Sequence, residues 1–309
     1  MLLRYAALAA GALAAVGGML AQGGRFSPLL DMLTHFAPIY AGLAIAALLA
    51  AGLGGRPRRA ALVLAMVGLG ASAALLAPEY LRPAEPAAPA SAPGQLKVIQ
   101  FNAYKRNADI GRVADWLIAQ NPDIVTLQEA RHDLRDLLLR RTGWSVAGAH
   151  EHVMIFSRAK RIGMRRPPLG PTAFTYLSAT FASASGPYEV ITTHLDWPNG
   201  RFFQGQHADL ARLTAQIPRR RMILTGDLNT TPWSFTLRRT DRALGLARRD
   251  RALWSYPARL GRWDWPLPVL PIDHIYAGPG WRVVSLTRGP NLGSDHYPLV
   301  IVLAPVAPR

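Results

Sequence analysis

The sequence predicts an α/β fold, two mixed β-sheets packed face to face with helices outside, preceded by about three transmembrane helices. Three observations predict it. Ala, Leu, Gly and Val dominate the N-terminal quarter, while the charge and most Trp lie beyond residue 94. Past that point, short runs rich in β-branched residues outnumber stretches with helical spacing. Many neighbouring runs also sit at hairpin separation.

The N-terminal quarter holds three apolar stretches, at residues 2–21, 36–53 and 60–77. Each is roughly 18–20 residues long, close to the span of a bilayer's hydrocarbon core. None contains an acid or a Lys, and Arg4 sits at the edge of the first. A cleaved signal peptide is the other reading of that first stretch, but two further spans follow it at once. With three spans, the N-terminus and the second loop share a side and carry Arg4, Arg56, Arg58 and Arg59, against Arg25 and Arg82 on the other. The excess of Arg places residues 54–59 in the cytoplasm. The expected localisation is therefore a multi-pass inner-membrane protein whose C-terminal domain is extracytoplasmic. The expected domains are a membrane region at 1–77, a Pro/Ala-rich linker at 78–94 acting as a semi-rigid tether, and a catalytic domain at 95–309.

The formal net charge is +16 from 35 basic and 19 acidic residues. Residues 1–94 carry six Arg and three acids, which leaves 29 basic and 16 acidic residues, a net +13, for the remainder. Such a domain attracts nucleic acid, anionic lipid or phosphorylated small molecules. Only three basic residues are Lys, so codon composition is a competing explanation of the charge. The chain has no Cys, which excludes disulfides, thiolate metal sites and Cys nucleophiles.

In the C-terminal domain, strands are predicted at 96–102, 123–129, 144–148, 153–158, 173–183, 188–196, 221–225, 272–277, 281–287 and 297–303. Helices are predicted at 109–120, 133–141 and 202–217. Polar residues recur where the apolar runs end: Asn102, Glu129, His194, Asp227 with Asn229, Asp273 with His274, and Asp295 with His296. A strand end holds a side chain at the rim of a sheet with little positional freedom. Acids, Asn and His converging on one rim make a hard-oxygen metal site with acid–base groups beside it. Taken singly, each has a structural explanation: Asp227 as the cap of a helix beginning near Thr231-Pro232, Gly226-Asp227 as a turn, His194 as a packed or surface histidine.

As an ordered set these residues carry a resemblance. Phe101-Asn102, Leu127-Gln128-Glu129, Thr193-His194-Leu195, Gly226-Asp227-Leu228-Asn229, Ile272-Asp273-His274-Ile275 and Ser294-Asp295-His296 resemble, in order, the motifs of the endonuclease/exonuclease/phosphatase superfamily. The resemblance covers about residues 95–305. It implies a four-layer α/β sandwich, Mg²⁺ (or Mn²⁺) dependence, and hydrolysis of phosphate esters. It implies Glu129 as the principal metal ligand with Asn102 alongside and Asp295 as a second metal-site acid. Asp227 resembles the acid that positions or deprotonates the attacking water, and Asn229 the amide that holds the phosphate. His194 resembles the histidine that contacts the scissile phosphate or protonates the leaving group, Asp273 the acid that orients the terminal histidine, and His296 that histidine. The general base stays open between Asp227 and His296.

His150, Glu151 and His152 depart from the family pattern, either as a second-metal or substrate feature or as solvated loop residues. The expected partners are the lipid bilayer and a phosphate-ester substrate, with no protein partner implied. A phosphodiesterase or nuclease is the favoured activity, and a phospholipid or inositol-phosphate phosphoesterase the alternative. Trp197, Phe202, Phe203, Trp233, Trp254, Trp263 and Trp265 would either stack on bases, enter a membrane interface, or belong to core and cleft wall. A catalytically inactive, membrane-tethered binding module would have lost at least one metal or histidine position, and none is lost.

Overall fold

The computed structural model describes residues 2–52, 58–148, 153–165, 172 and 174–306. His150, Glu151, His152 and Arg56 lie outside the described residues. The chain divides into two compact units, Met1–Pro83 with Thr231–Arg239, and Ala84–Thr230 with Thr240–Arg309.

The first unit contains helices α1 (Leu2–Gln22), α2 (Pro28–Thr34), α3 (Ala37–Ala51) and α4 (Arg58–Tyr80). Among the described residues, two helices are long and apolar enough to cross a membrane, or three if α2 and α3, bent by 54° at their junction, form one span. The second apolar stretch thus becomes a helix of only 15 residues, about 22 Å at 1.5 Å per residue. Small residues let the helices approach closely: a Cβ on Gly68 would lie 2.7 Å from the Ala14 backbone. Outside those seams Leu13, Val16, Leu49, Val63 and Met66 are exposed. Pro78 lies inside α4, so the predicted linker contributes its first residues to a helix.

Asp31 and His35 at the α2–α3 bend are buried. The Asp31 carboxylate accepts hydrogen bonds from the Phe235 and Thr236 amides, both 2.8 Å, and from Thr236 Oγ1 at 2.6 Å. His35 Nδ1 accepts from the Thr231 amide at 3.2 Å, and its carbonyl from Trp233 Nε1 at 3.4 Å. Asp31 therefore caps the free N–H groups at the start of helix α8 from a distant part of the chain.

The second unit contains β1 (Leu96–Asn102), α5 (Ile110–Ala119), β2 (Ile124–Gln128), α6 (His132–Arg141), β3 (Ser145–Ala147), β4 (Val153–Ser157), β5 (Arg161–Arg165), β6 (Thr175–Phe181), β7 (Tyr188–His194), α7 (Phe203–Thr214) and β8 (Met222–Asp227). Helix α8 (Phe235–Leu244) starts in the first unit. β9 (Ala247–Arg248), β10 (Arg259–Leu260), β11 (Trp263–Asp264), β12 (Asp273–Ala277), β13 (Trp281–Arg288) and β14 (Leu299–Pro305) complete the chain. One six-stranded sheet has the order β13-β14-β1-β2-β4-β3, the other β5-β6-β7-β8-β12-β9, and β10-β11 is a separate ribbon. Both sheets are mixed: β1–β2 and β7–β8 are parallel pairs among antiparallel ones. The expected two-sheet architecture with outer helices is present. The sequence reading lacked β5 and the short strands β9–β11.

Period-two alternation sorts the core. Val98, Ile124, Val190, Ile223, Ile275 and Ile301 pack between the sheets. Their neighbours Ile99, Phe101, Val125 and Leu127 pack outward with Val113 and Leu117 of α5 and Leu134 and Leu138 of α6. The segment before β1 is bound to the second unit: Ala88 N–H donates to the Val283 carbonyl at 2.8 Å, and Glu85 pairs with Arg249. It is thus a strap rather than a free tether.

Asp31→Ala would leave the α8 amides without their acceptor. The full chain in detergent is expected to lose about 1–3 kcal/mol of stability, read from its thermal or denaturant midpoint.

Candidate active site

The inter-sheet layer changes character along its strands. On β1 the inward positions run Val98, Gln100, Asn102; on β2 Ile124, Thr126, Gln128; on β8 Ile223, Thr225, Asp227. β12 runs antiparallel to β8 with Asp273 opposite Asp227, so its inward series Asp273, Ile275, Ala277 has its polar end at the same place. Polar bonds bridge the sheets where apolar packing stops. Gln100 Nε2 donates to Asp273 (2.8 Å), Gln128 Nε2 to Thr192 Oγ1 (2.8 Å), and Thr225 Oγ1 to Thr126 Oγ1 (2.8 Å).

At the charged end, Asp227 lies between two histidines. Its Oδ2 is 3.6 Å from His194 Nε2 and 3.6 Å from His296 Nε2, and accepts from Asn102 Nδ2 at 3.0 Å. Its Oδ1 accepts from the Asn229 amide at 2.9 Å. The other His296 nitrogen, Nδ1, is 2.7 Å from Asp273 Oδ2. Glu129 is 3.9 Å from His194 Nε2 and 3.4 Å from Asn102 Nδ2. Asn229 Nδ2 donates to the Leu195 carbonyl at 2.8 Å. Ser294 Oγ donates to the Asn102 carbonyl at 2.7 Å, which ties the last motif to the first. A cavity of about 420 Å³ is lined by Lys105, Glu129, His194, Trp197 and Asn229 among others.

The backbone serves this geometry. Glu129 and Asn229 take φ of 50° and 49°, a region costly for a Glu and often found at functional sites. Gly226 is required by packing, since a Cβ there would lie 2.3 Å from the Thr193 carbonyl oxygen.

The electrostatics are lopsided. Burial, reinforced by Asp273, pushes the Asp227 carboxyl up. Burial and the charge of Glu129 raise Asp295 although His296 opposes them. Burial also acts against the Asp273 anion, but His296 outweighs it and holds the carboxyl below its ordinary value. His296 is pushed up to about 10 because Asp273 and Asp227 overcome its desolvation. Carboxylates thus outnumber the imidazoles facing them, and Asn229 Oδ1 is buried without a hydrogen-bond partner among the described residues. These hard oxygen donors around an uncompensated negative charge fit a divalent cation of the Mg²⁺ or Mn²⁺ type. Asp227, Asp273 and His296 also form a tight cluster of possible ligand atoms. In that cluster His296 Nδ1 already bonds Asp273, so Glu129, Asn102 and Asp295 are the better candidate ligands.

In a second layer only His274 was singled out by the sequence, and its partners were not. His274 is buried between Asp250 Oδ2, 2.8 Å from its Nδ1, and the Thr230 carbonyl, 2.8 Å from its Nε2. Thr230 Oγ1 is 3.0 Å from His207 Nε2, whose Nδ1 is 2.9 Å from Thr240 Oγ1. This network fixes the chain immediately after Asn229. Its partners come from separate elements, so no local pattern reveals them.

All eight predicted site residues meet at this one end of the inter-sheet layer. The endonuclease/exonuclease/phosphatase family model matches residues 99–296, and the chain belongs to that family. No curated protein matches it in sequence. Solved structures match the fold. The human Nocturnin catalytic domain with bound sulfate has 21% identity and TM-score 0.54, covering 69% of this chain and 95% of its own. D. rerio TDP2 complexed with a single-strand DNA product has 15% identity and TM-score 0.54, covering 68% and 99%. A Bacteroides thetaiotaomicron mannosyl-6-phosphatase has 15% identity and TM-score 0.54, covering 68% and 99%.

Asp273→Asn removes the anion that orients His296, and kcat in a phosphoester assay is expected to fall by about 10²–10⁴. Burial disfavours the charged form of His274, yet Asp250 outweighs it and raises the pKa above 6.5. The stability this pair provides is complete below about pH 6.5 and is lost as pH rises through the raised folded value. Thermal melts of His274→Gln should therefore show a flatter decline on the alkaline side than those of the unsubstituted chain.

Proposed function

We propose that this protein is a membrane-attached, divalent-metal-dependent hydrolase of phosphate esters, with its catalytic domain on the extracytoplasmic side. The observation that carries the reading is Asp227 held between His194 and His296, with Asp273 behind His296 and Asn229 beside it. Family membership supports phosphoester chemistry. The two or three helices able to cross a membrane support the attachment.

Glu129, Asn102 and Asp295 would hold the cation. When bound, Mg²⁺ or Mn²⁺ supplies charge that neutralises the phosphate and stabilises the leaving oxygen. Asp227 accepts the proton of the attacking water, because it is the anion closest to both imidazoles. Asp273 holds the His296 ring in one orientation, with Nε2 facing the reacting phosphate. His194 and the Asn229 amide hold non-bridging oxygens as charge develops on them. Asn102 keeps Asp227 and Glu129 in register. A nucleic-acid substrate is the second reading, favoured by the net +13 beyond residue 94 and by the DNA complex of a structural relative.

The test is hydrolysis of bis-p-nitrophenyl phosphate by the detergent-solubilised full chain. Activity is expected with Mg²⁺ or Mn²⁺, with loss in EDTA and a fall of at least about 10²-fold in Asp227→Ala. Hydrolysis that survives both treatments would sink the metal mechanism. A reporter fused after Arg309 should be active outside the cytoplasm, and cytoplasmic signal there would overturn the topology.

A further inference from the structure

Large apolar side chains gather on the two loops that flank the catalytic histidines. Of the aromatic residues singled out in the sequence, Trp233 and Phe203 are buried, whereas Trp197, Phe202, Trp263 and Trp265 are exposed. Leu260 and Leu267 are exposed as well, and Trp263 retains 68% of its accessible surface. Four of these six lie on or beside the β10–β11 ribbon, which is rooted on the Ser294–His296 motif. Ala258 N–H donates to the Asp295 carbonyl at 2.6 Å, Arg259 to the Gly293 carbonyl at 2.8 Å, and Tyr297 Oη to the Trp265 carbonyl at 3.2 Å. The other two follow His194, and Trp197 lines the active-site cavity. A series of ring contacts joins the loops: Trp197 edge-to-face with Tyr256 at 5.4 Å, and Tyr256 tilted against His296 at 4.9 Å. Each loop also carries a cation on an exposed ring, Arg201 over Phe202 at 5.5 Å and Arg262 over Trp263 at 4.9 Å.

We infer that this rim docks the mouth of the active site onto a lipid–water interface, and that the phosphate ester cleaved is the headgroup of a long-chain amphiphile. The inference rests on the phosphoesterase reading and names its substrate class. Trp at headgroup depth, Leu beyond it and Arg beside the phosphates is the composition that an anionic lipid surface rewards. Nucleic acid would reward the aromatic rings, on which bases stack, and the arginines. It would give Leu260 and Leu267, which have no ring face, nothing for their exposure to water. The same chain carries helices able to cross a membrane, so such an interface is within its reach.

The test uses the full chain in mixed micelles, with bis-p-nitrophenyl phosphate as reporter substrate. Dioleoyl phosphatidic acid should inhibit at least about tenfold more strongly than dihexanoyl phosphatidic acid, a difference of ~1.4 kcal/mol. In a Trp263→Ser/Leu267→Ser variant that advantage should vanish, while kcat/KM for the reporter stays unchanged. Equal inhibition by both chain lengths, or an advantage that survives the substitutions, overturns the inference. So does a single-stranded oligonucleotide that inhibits more strongly than the lipid and loses potency in the variant. A second measurement is independent of turnover: brominated phosphatidylcholine in nanodiscs should quench Trp fluorescence, and less so in Trp263→Ser. Undiminished quenching overturns the docking. Absent reporter hydrolysis with every metal overturns the phosphoesterase reading and leaves the quenching result to decide the docking surface.

Discussion

The rest of the catalytic unit depends on one constraint: negative charge must be held at the end of an apolar layer without water to solvate it. Val98, Ile124, Ile223 and Ile275 fill the space between the sheets, and Asp227 and Asp273 stand four and two residues beyond Ile223 and Ile275, opposite each other on adjacent strands. Two carboxylates in such a place repel one another and lose hydration. His296 between them and the amides of Gln100, Asn102 and Asn229 answer part of that cost. What they leave is the surplus of carboxylates over imidazoles, which fits a divalent cation. The same burial that the apolar layer imposes also raises the Asp227 carboxyl.

The strand ends explain why so much of the site was legible in the sequence. Period-two alternation is a local property, so a run such as Ile223–Asp227 displays its apolar-to-acidic gradient in five consecutive letters. The ordered motifs then placed eight residues on one rim, and the geometry brings all eight together. The helices α5, α6 and α7 were equally local. Less visible were features that depend on pairing across the chain. Asp31 and Thr236 are separated by 205 positions, and an acid in the short helix α2 carries no mark of the helix it caps. His274 reads as one letter of a motif, yet it acts with Asp250 and Thr230, 24 and 44 positions away. The positive φ of Glu129 is imposed by where its carboxylate must go, against the preference of the residue itself.

The exposed aromatics show the opposite failure, a pattern seen but not sorted. Trp233, Trp263 and Trp265 are alike in the sequence. Trp233 is fully buried where the chain packs with the helical unit, and Trp263 projects from a two-residue strand with no core behind it. Only the fold distinguishes an aromatic that stabilises from one that is free to meet a partner.

The segment after the Gly226–Asn229 motif bears on what the N-terminal helices do. Thr230 is fixed by His274 and His207 inside the catalytic unit, and the next residue already belongs to the helical unit. There Thr231, Trp233, Phe235 and Thr236 bond to His35 and Asp31. A chain cut at the Pro/Ala-rich strap would keep all eight candidate site residues and yet strip those bonds from four residues of the segment Thr231–Arg239. Trp233 would then be exposed and the first α8 amides left uncapped, two named sources of large destabilisation. The N-terminal helices therefore hold Thr231–Arg239 as part of their own compact unit.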